Sequence, residues 1–277
     1  MPWKPNAFDS LILPASQLRL IAALVTSHTF PTSARDEDQQ KGKGLVCLLH
    51  GPPGSGKTLT AECAAETTQK ALIRASISEL NKHDSPWFFE HELTRVLRLA
   101  TTWKAIVLLD EADVFLEARG DDAHDAANRN ALVAVFLRHL EYFSGICFLT
   151  TNRIQVFDAA MKSRVHLALG YKEPDSTARS RIWIQSLAIK NVVSLEDDQG
   201  EQLAVQAAAE KLCKEQLNGR EISNAIHTAG TLARYAEEKL AMKHIEEVLG
   251  VRRDFEETLE KMRNHTTIVA KGNSVVG

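Results

Sequence analysis

Residues 45–58 read LVCLLHGPPGSGKT, and the fold follows from how this stretch divides. Leu45 to His50 is a short, nearly continuous apolar run, the pattern of a strand buried on both faces of a parallel sheet. Gly51 to Thr58 then spells a complete GxxxxGK[ST] loop that opens a helix. Backbone N–H groups of such a loop turn inward around a phosphate, and the helix N-terminus adds its positive dipole. Gly51, Gly54 and Gly56 are needed because side chains would block that approach. Pro52, Pro53 and Ser55 complete the loop, and Leu59 continues it into the helix. Lys57 can reach the β- and γ-phosphates, and the Thr58 hydroxyl can ligate Mg²⁺. The stretch 51–59 is therefore the expected nucleotide-phosphate site.

Working outward, similar apolar runs recur at ALIRAS (71–76), AIVLLD (105–110) and GICFLTTN (145–152). Helix-period segments lie between them at 57–70, about 87–101, and 127–143, the last with Leu132, Phe136, Leu140 and Phe143 on one face. Strands alternating with helices predict βαβ units in a three-layer α/β domain. Upstream, Leu18, Ile21, Ala22 and Val25 form a helical stripe within 11–30 that Pro31 ends, and TSARDEDQQKGKG (32–44) reads as a surface loop. After about residue 172 the strand signals stop. Helical patterns cover 175–189, an alanine-rich 200–214, and 219–240, where Ile222, Ile226, Ala229, Ala233, Ala236 and Leu240 recur at helical steps. A last amphipathic stretch runs to about Met262, and the tail beyond it reads as frayed. The expected layout is an α/β domain over 1–172, an all-helical domain over 173–264 and a flexible tail over 265–277.

Composition agrees with that layout. The 277 residues suit two small domains, and 44% hydrophobic with 25% charged residues is ordinary globular usage. Wholesale disorder, collagen-like repeats and a membrane bundle are excluded. With 33 basic and 36 acidic residues the net charge is −3, which disfavours a nucleic-acid partner gripped mainly by net charge. Cys47, Cys63, Cys147 and Cys213 form no CxxC pair and read as small core hydrophobes of a reducing compartment. No apolar run reaches the roughly 18 residues that cross a bilayer. The N-terminus MPWKPNAFDS has neither a signal core nor an arginine-rich presequence, so the expectation is a soluble intracellular chain. A strong feature so early equally suits a segment cut from a longer protein.

The third apolar run ends in Asp110-Glu111-Ala112-Asp113. An acidic residue at the carboxyl end of a neighbouring strand sits where Mg²⁺ is held, which assigns Asp110 alongside Thr58 to the metal. Glu111 is placed to polarise an attacking water as general base, against the alternative of an exposed charge after a strand. Asp113 is assigned a structural role, as a first-turn cap or a polar contact.

GPPGSGKT, the IVLLDEAD block and the later FLTTN together resemble an AAA+ ATPase module, a P-loop NTPase domain followed by a small helical lid. The resemblance covers roughly 3–262. The text RNALVAVFLRHLEYFSGICFLTTNRIQVFDAAMKSRVHLALGY looks most like fungal AAA-domain proteins, which carry a longer N-terminal region. The DEAD spelling suggests a helicase, but this length leaves no room for a second RecA-like domain. The resemblance implies ATP and Mg²⁺ as cofactors and a homo-oligomer, a hexameric ring. It gives Asn152 the sensor-1 role of positioning the attacking water, the alternative being an asparagine turn after a strand. It aligns Arg164 with the arginine finger that reaches the neighbouring subunit's γ-phosphate. Where many members carry a second arginine, this chain has Leu167. Arg220 matches the sensor-2 position, the alternative being a solvated first-turn charge. Asn6, Ala7 and Phe8 resemble the base-contacting stretch, and Arg129 and Asn130 face the subunit seam or a surface salt bridge. Substrate-threading relatives place an aromatic residue in the pore loop, here NKHDSPWFFEHEL. Trp87 and Phe88 could fill that role, but with Leu93 they read better as the buried face of the following helix.

The leading expectation is thus an ATP-hydrolysing motor that remodels a protein or complex, its protein substrate unknown. An ATP-binding switch or scaffold with little turnover would need none of Glu111, Asn152 and Arg164. A small-molecule kinase is disfavoured by the lid and Arg164. A nucleic-acid-acting relative is disfavoured by the lack of a basic stripe interleaved with aromatic residues.

Overall fold

The computed structural model describes residues 3–4, 6–30, 43–115, 123–153, 159–189 and 198–272. Five parallel strands, β1 (Leu45–His50), β2 (Leu72–Ser76), β3 (Ile106–Asp110), β4 (Ile146–Thr151) and β5 (Leu167–Gly170), pair in the order β2-β3-β4-β1-β5. The helices of the first unit are α1 (Ala15–Ser27), α2 (Lys57–Thr68), α3 (Ile77–Leu80), α4 (Pro86–Trp103), α5 (Ala123–Tyr142) and α6 (Ala159–Lys162). The apolar runs become strands because each supplies both faces of the sheet. On β1, Val46 and Leu48 enter one buried cluster while Leu45, Cys47 and Leu49 enter the other. The same alternation separates Val107 and Leu109 from Ile106 and Leu108 on β3. The first cluster is completed by Phe89, Leu93 and Leu97 of α4 and Phe136 and Leu140 of α5. The second is completed by Ile21 and Val25 of α1 and Ala61 and Ala64 of α2. The chain therefore has the expected α/β class, with one helical layer on each side of a parallel sheet.

Three features differ from the sequence expectations. A fifth strand follows the four apolar runs. β5 is short and lies at the sheet edge, with Leu167 and Leu169 buried and Ala168 and Gly170 exposed, so its apolar run is only the three residues Leu167 to Leu169. β2 is the opposite edge and is only partly buried rather than covered on both faces. A 3-10 turn, Ala7–Ser10, which the sequence did not suggest, precedes α1, and α1 holds the whole expected stripe of Leu18, Ile21, Ala22 and Val25.

Contacts divide the chain into two compact units, Met1–Glu173 and Pro174–Gly277. The second unit holds α7 (Ser176–Ile189), α8 (Asp198–Leu212), α9 (Gly219–Tyr235) and α10 (Met242–Gly272). Its core gathers Trp183 and Leu187 of α7, Ala209 of α8, Ile222 and Ile226 of α9 and Ile245 of α10. A capping box starts α9: Asn218 Oδ1 accepts the Glu221 N–H at 3.0 Å, and Glu221 Oε2 accepts the Asn218 N–H at 2.7 Å. The α9 helix ends at Tyr235, before Ala236 and Leu240, and Leu240 still packs against the helical core. α10 continues to Gly272, beyond the point at which the composition reads as a tail. Among the described residues, no helix is long and apolar enough to cross a membrane.

Candidate nucleotide-phosphate site

The carboxyl ends of β1, β3 and β4 come together because these strands are parallel neighbours. His50 pairs with Thr151, and Leu109 with Leu149. Gly51, Asp110 and Asn152 therefore leave the sheet along one edge, where α/β folds place their ligands. The 51–58 loop departs from ordinary backbone at Gly51 (φ 145°), Gly54 (φ 71°) and Gly56 (φ 100°). A Cβ at Gly51 would meet the Tyr171 carbonyl oxygen at 2.4 Å, so this position must be glycine.

Lys57 is buried, and its ammonium donates to Gly51 O at 2.8 Å, Pro52 O at 2.7 Å and Asn152 Oδ1 at 3.0 Å. It thus draws both ends of the site together. Asn152 is itself oriented by Asp113, which accepts its backbone N–H at 3.0 Å and its Nδ2 at 3.3 Å. The Thr151 hydroxyl also donates to Asp113. Asp113 is thereby the anchor of the Thr151–Asn152 corner. The Thr150 hydroxyl donates to Asp110 and accepts the Glu111 N–H at 3.3 Å. Glu111 has φ 61°, a strained left-handed conformation for a residue with a Cβ. Its Oε2 accepts from Ser76 Oγ at 2.9 Å and Ser78 Oγ at 3.4 Å. Thr58 lies half-buried in the first turn of α2, and Leu59 beside it is exposed. His50 is pushed below the usual histidine range by burial and by the charge of Lys57.

The donor set fits an anionic phosphate chain. Three positive-φ glycines open the loop and Lys57 supplies the charge. Among the described residues, the Ser55 hydroxyl is a buried donor without a hydrogen-bond partner.

Arg164 is not brought to this edge. Two residues after it, the His166 N–H donates to Val46 O at 2.9 Å, and His166 Nδ1 accepts the Val46 N–H at 3.1 Å. Val46 lies near the start of β1, about 16 Å along the strand from Gly51. The Arg164 guanidinium is partly buried and donates to Glu141 Oε2 at 3.0 Å, at the C-terminal end of α5. Arg220 is exposed in the first turn of α9, in the second unit. Ala7 and Phe8 pack into the core behind α2, and Asn6 immediately precedes their turn. Asn130 is exposed on α5, and the side chain of Arg129 lies outside the described residues.

Trp87 overturns its expectation. It is 75% exposed and stacks on His91 with ring centroids 5.9 Å apart, while Phe89 and Leu93 are fully buried. Phe88 is half-buried and meets His83 edge-on at 4.2 Å. Trp87 precedes Phe89 by two residues, about 200° around the helix, so the two cannot share a face. All four cysteines are free, and burial pushes the Cys47 thiol up to about 12. Sequence reasoning missed Thr150, Thr151, Ser76 and Ser78 as partners of the acidic cluster. Their signal was weak: each is a small polar residue at or just past a strand's carboxyl end.

Residues 47–171 match the model of the ATPase family associated with various cellular activities (AAA), and residues 174–266 match the fungal AAA+ ATPase lid domain. The chain is 31% identical to human fidgetin-like protein 1 over 188 residues, covering 62% of this chain and 27% of that protein. The rat fidgetin-like protein 1 is also 31% identical, over 202 residues, 68% of this chain and 28% of its own. A Caenorhabditis elegans mitochondrial sorting homolog is 30% identical over 159 residues, 53% of this chain and 45% of its own. The chain thus spans about a quarter of the length of its fidgetin-like relatives. The two adjoining family matches carry the loop, the acidic strand end and the helical unit together, and the chain belongs to the AAA ATPase family, as an AAA domain followed by a fungal-type lid.

Proposed function

We propose that this chain binds Mg²⁺-ATP in the 51–59 loop and hydrolyses it, as the motor module of a homo-oligomeric ring that remodels a protein substrate. The observation that carries the reading is the convergence of Lys57, Asn152 and Asp113 beside Asp110 and Glu111. When bound, Mg²⁺-ATP supplies the reactive phosphoanhydride and the metal charge that stabilises the leaving group. Loop N–H groups and Lys57 hold the phosphates, while Thr58 and Asp110 hold the metal. Glu111 takes a proton at its carboxylate from the attacking water, and Asn152, fixed by Asp113, orients that water. Arg164 precedes β5 at the end of the sheet away from the loop, too far to serve its own chain, which supports a role in a neighbour's site, six copies making the ring. Arg220 keeps the second phosphate-sensor role that the family resemblance gives it.

One observation favours the switch reading as a second possibility. Ser76 and Ser78 hold the Glu111 carboxylate, and a base so engaged is restrained from water. Phosphate release from ATP, measured across a range of protein concentrations, separates the two. Turnover per chain that rises with concentration supports the assembled motor. ATP binding without turnover at any concentration supports the switch.

A further inference from the structure

Behind the phosphate loop lies a buried pair to which the functional reading gives no role. Tyr171 Oη and Thr60 Oγ1 are 2.6 Å apart, and both side chains are buried. The Thr60 hydroxyl also donates to Gly56 O at 3.1 Å. A threonine hydroxyl has one proton, so with that proton on Gly56 O, Thr60 must accept from Tyr171. The direction is therefore Tyr171 O–H to Thr60 Oγ1, then Thr60 O–H to the Gly56 carbonyl.

That carbonyl belongs to the peptide joining Gly56 to Lys57. A trans peptide is planar, so its N–H points opposite to its C=O, and holding the Gly56 oxygen aims the Lys57 N–H. The Lys57 N–H opens α2 and is one of the donors that no helical carbonyl satisfies. Tyr171 backs the loop's other end too. Its N–H donates to His50 O at 2.7 Å, and its carbonyl closes the space a Gly51 side chain would need. Its ring lies 4.0 Å from where a Gly56 Cβ would be. Burial pushes the Tyr171 hydroxyl up to about 12, so it remains a donor at any physiological pH.

We propose that Tyr171 is a positioning residue for phosphate binding, acting through Thr60 to fix the Gly56–Lys57 peptide in the orientation that presents its N–H to an anion. The proposal rests on the phosphate-loop reading and adds a residue to it from the far side of β1, 111 positions from Thr60.

The test titrates a fluorescent ATP analogue with Mg²⁺ into the full chain. Tyr171→Phe and the isosteric Thr60→Val should each weaken binding roughly five- to tenfold. Their combination should cost no more than either alone, because both break one relay. Thr60→Ser, which keeps the hydroxyl, should stay within about twofold of wild type. If Tyr171→Phe fails to fold, Thr60→Val reads the same relay from its other end. A wild-type chain that binds with Tyr171→Phe or Thr60→Val unchanged overturns this proposal and leaves the phosphate-loop reading standing. Thr60→Ser as weak as Thr60→Val also overturns it, because packing and not the hydroxyl would then matter. A wild-type chain that binds no analogue overturns both.

Discussion

Lys57 and Asn152 stand ninety-five positions apart in the chain, yet the Lys57 ammonium donates to Asn152 Oδ1 at 3.0 Å. The pair meets because β1 and β4 are neighbours in register, and Asp113 from the turn after β3 fixes the asparagine's other side. The end of β4 and the glycine loop after β1 thereby form one polar cluster.

Removing the anchor tests that cluster. Asp113→Ala should leave nucleotide affinity within about twofold while turnover falls roughly tenfold or more. This is the effect of losing charge-assisted bonds of about 1.5–3 kcal/mol that orient a catalytic group. Steady-state phosphate release beside analogue titration checks it. Equal losses in both measurements would make Asp113 a simple structural support.

Glu111 and its serine partners separate motor from switch. Glu111→Gln should retain ATP and lose roughly 10²–10⁴ of the hydrolysis rate. Ser76→Ala, by removing the shorter of the two serine bonds at 2.9 Å, should raise turnover by up to about fivefold, a hydrogen bond of roughly 1 kcal/mol. A drop in single-turnover rate for Ser76→Ala would mean that the serine orients the base.

Arg164 sits just before β5, the edge neighbour of β1, and pairs with Glu141, remote from its own loop. Arg164→Ala should therefore keep ATP affinity and lose turnover, since arginine fingers are worth 10³–10⁵ in related enzymes. Mixing Arg164→Ala with Glu111→Gln should partly restore activity, because some seams then pair an intact Glu111 with an intact Arg164. Activity independent of protein concentration, with no rescue, would show a site complete in one chain.

The aromatic residues of α4 give a stability contrast. Phe89→Ala should cost about 3–5 kcal/mol, as a buried ring leaves a cavity. Trp87→Ala should change stability by no more than about 0.5 kcal/mol, because the ring is mostly in solvent. Chemical denaturation of the two variants measures both, and a large loss for Trp87→Ala would put that ring in a packed interface.

The strongest signals in the sequence are local ones. Leu45 to His50 and the glycines at 51, 54 and 56 each impose their conformation locally, so strand, loop and helix follow from spacing alone. β5 escapes such a reading because an edge strand of four residues carries an apolar run of only three, Leu167 to Leu169. The buried face of α4 is ambiguous by half a turn, since WFF at 87–89 offers three aromatic residues and only tertiary packing selects Phe89. The Thr150–Asp110, Thr151–Asp113 and Ser76–Glu111 contacts depend on which strands are neighbours, information that no local pattern carries. The pairing of Tyr171 with Thr60 is invisible in the sequence for the same reason.

In the proposed function the 51–58 loop holds ATP for hydrolysis, with Lys57 as its buried charge. The most direct test is Mg²⁺-dependent phosphate release from ATP, measured side by side for the wild-type chain and Lys57→Ala. Turnover in the wild type should disappear in the variant, together with most of the ATP affinity. Equal phosphate release and equal affinity in the two proteins would contradict it.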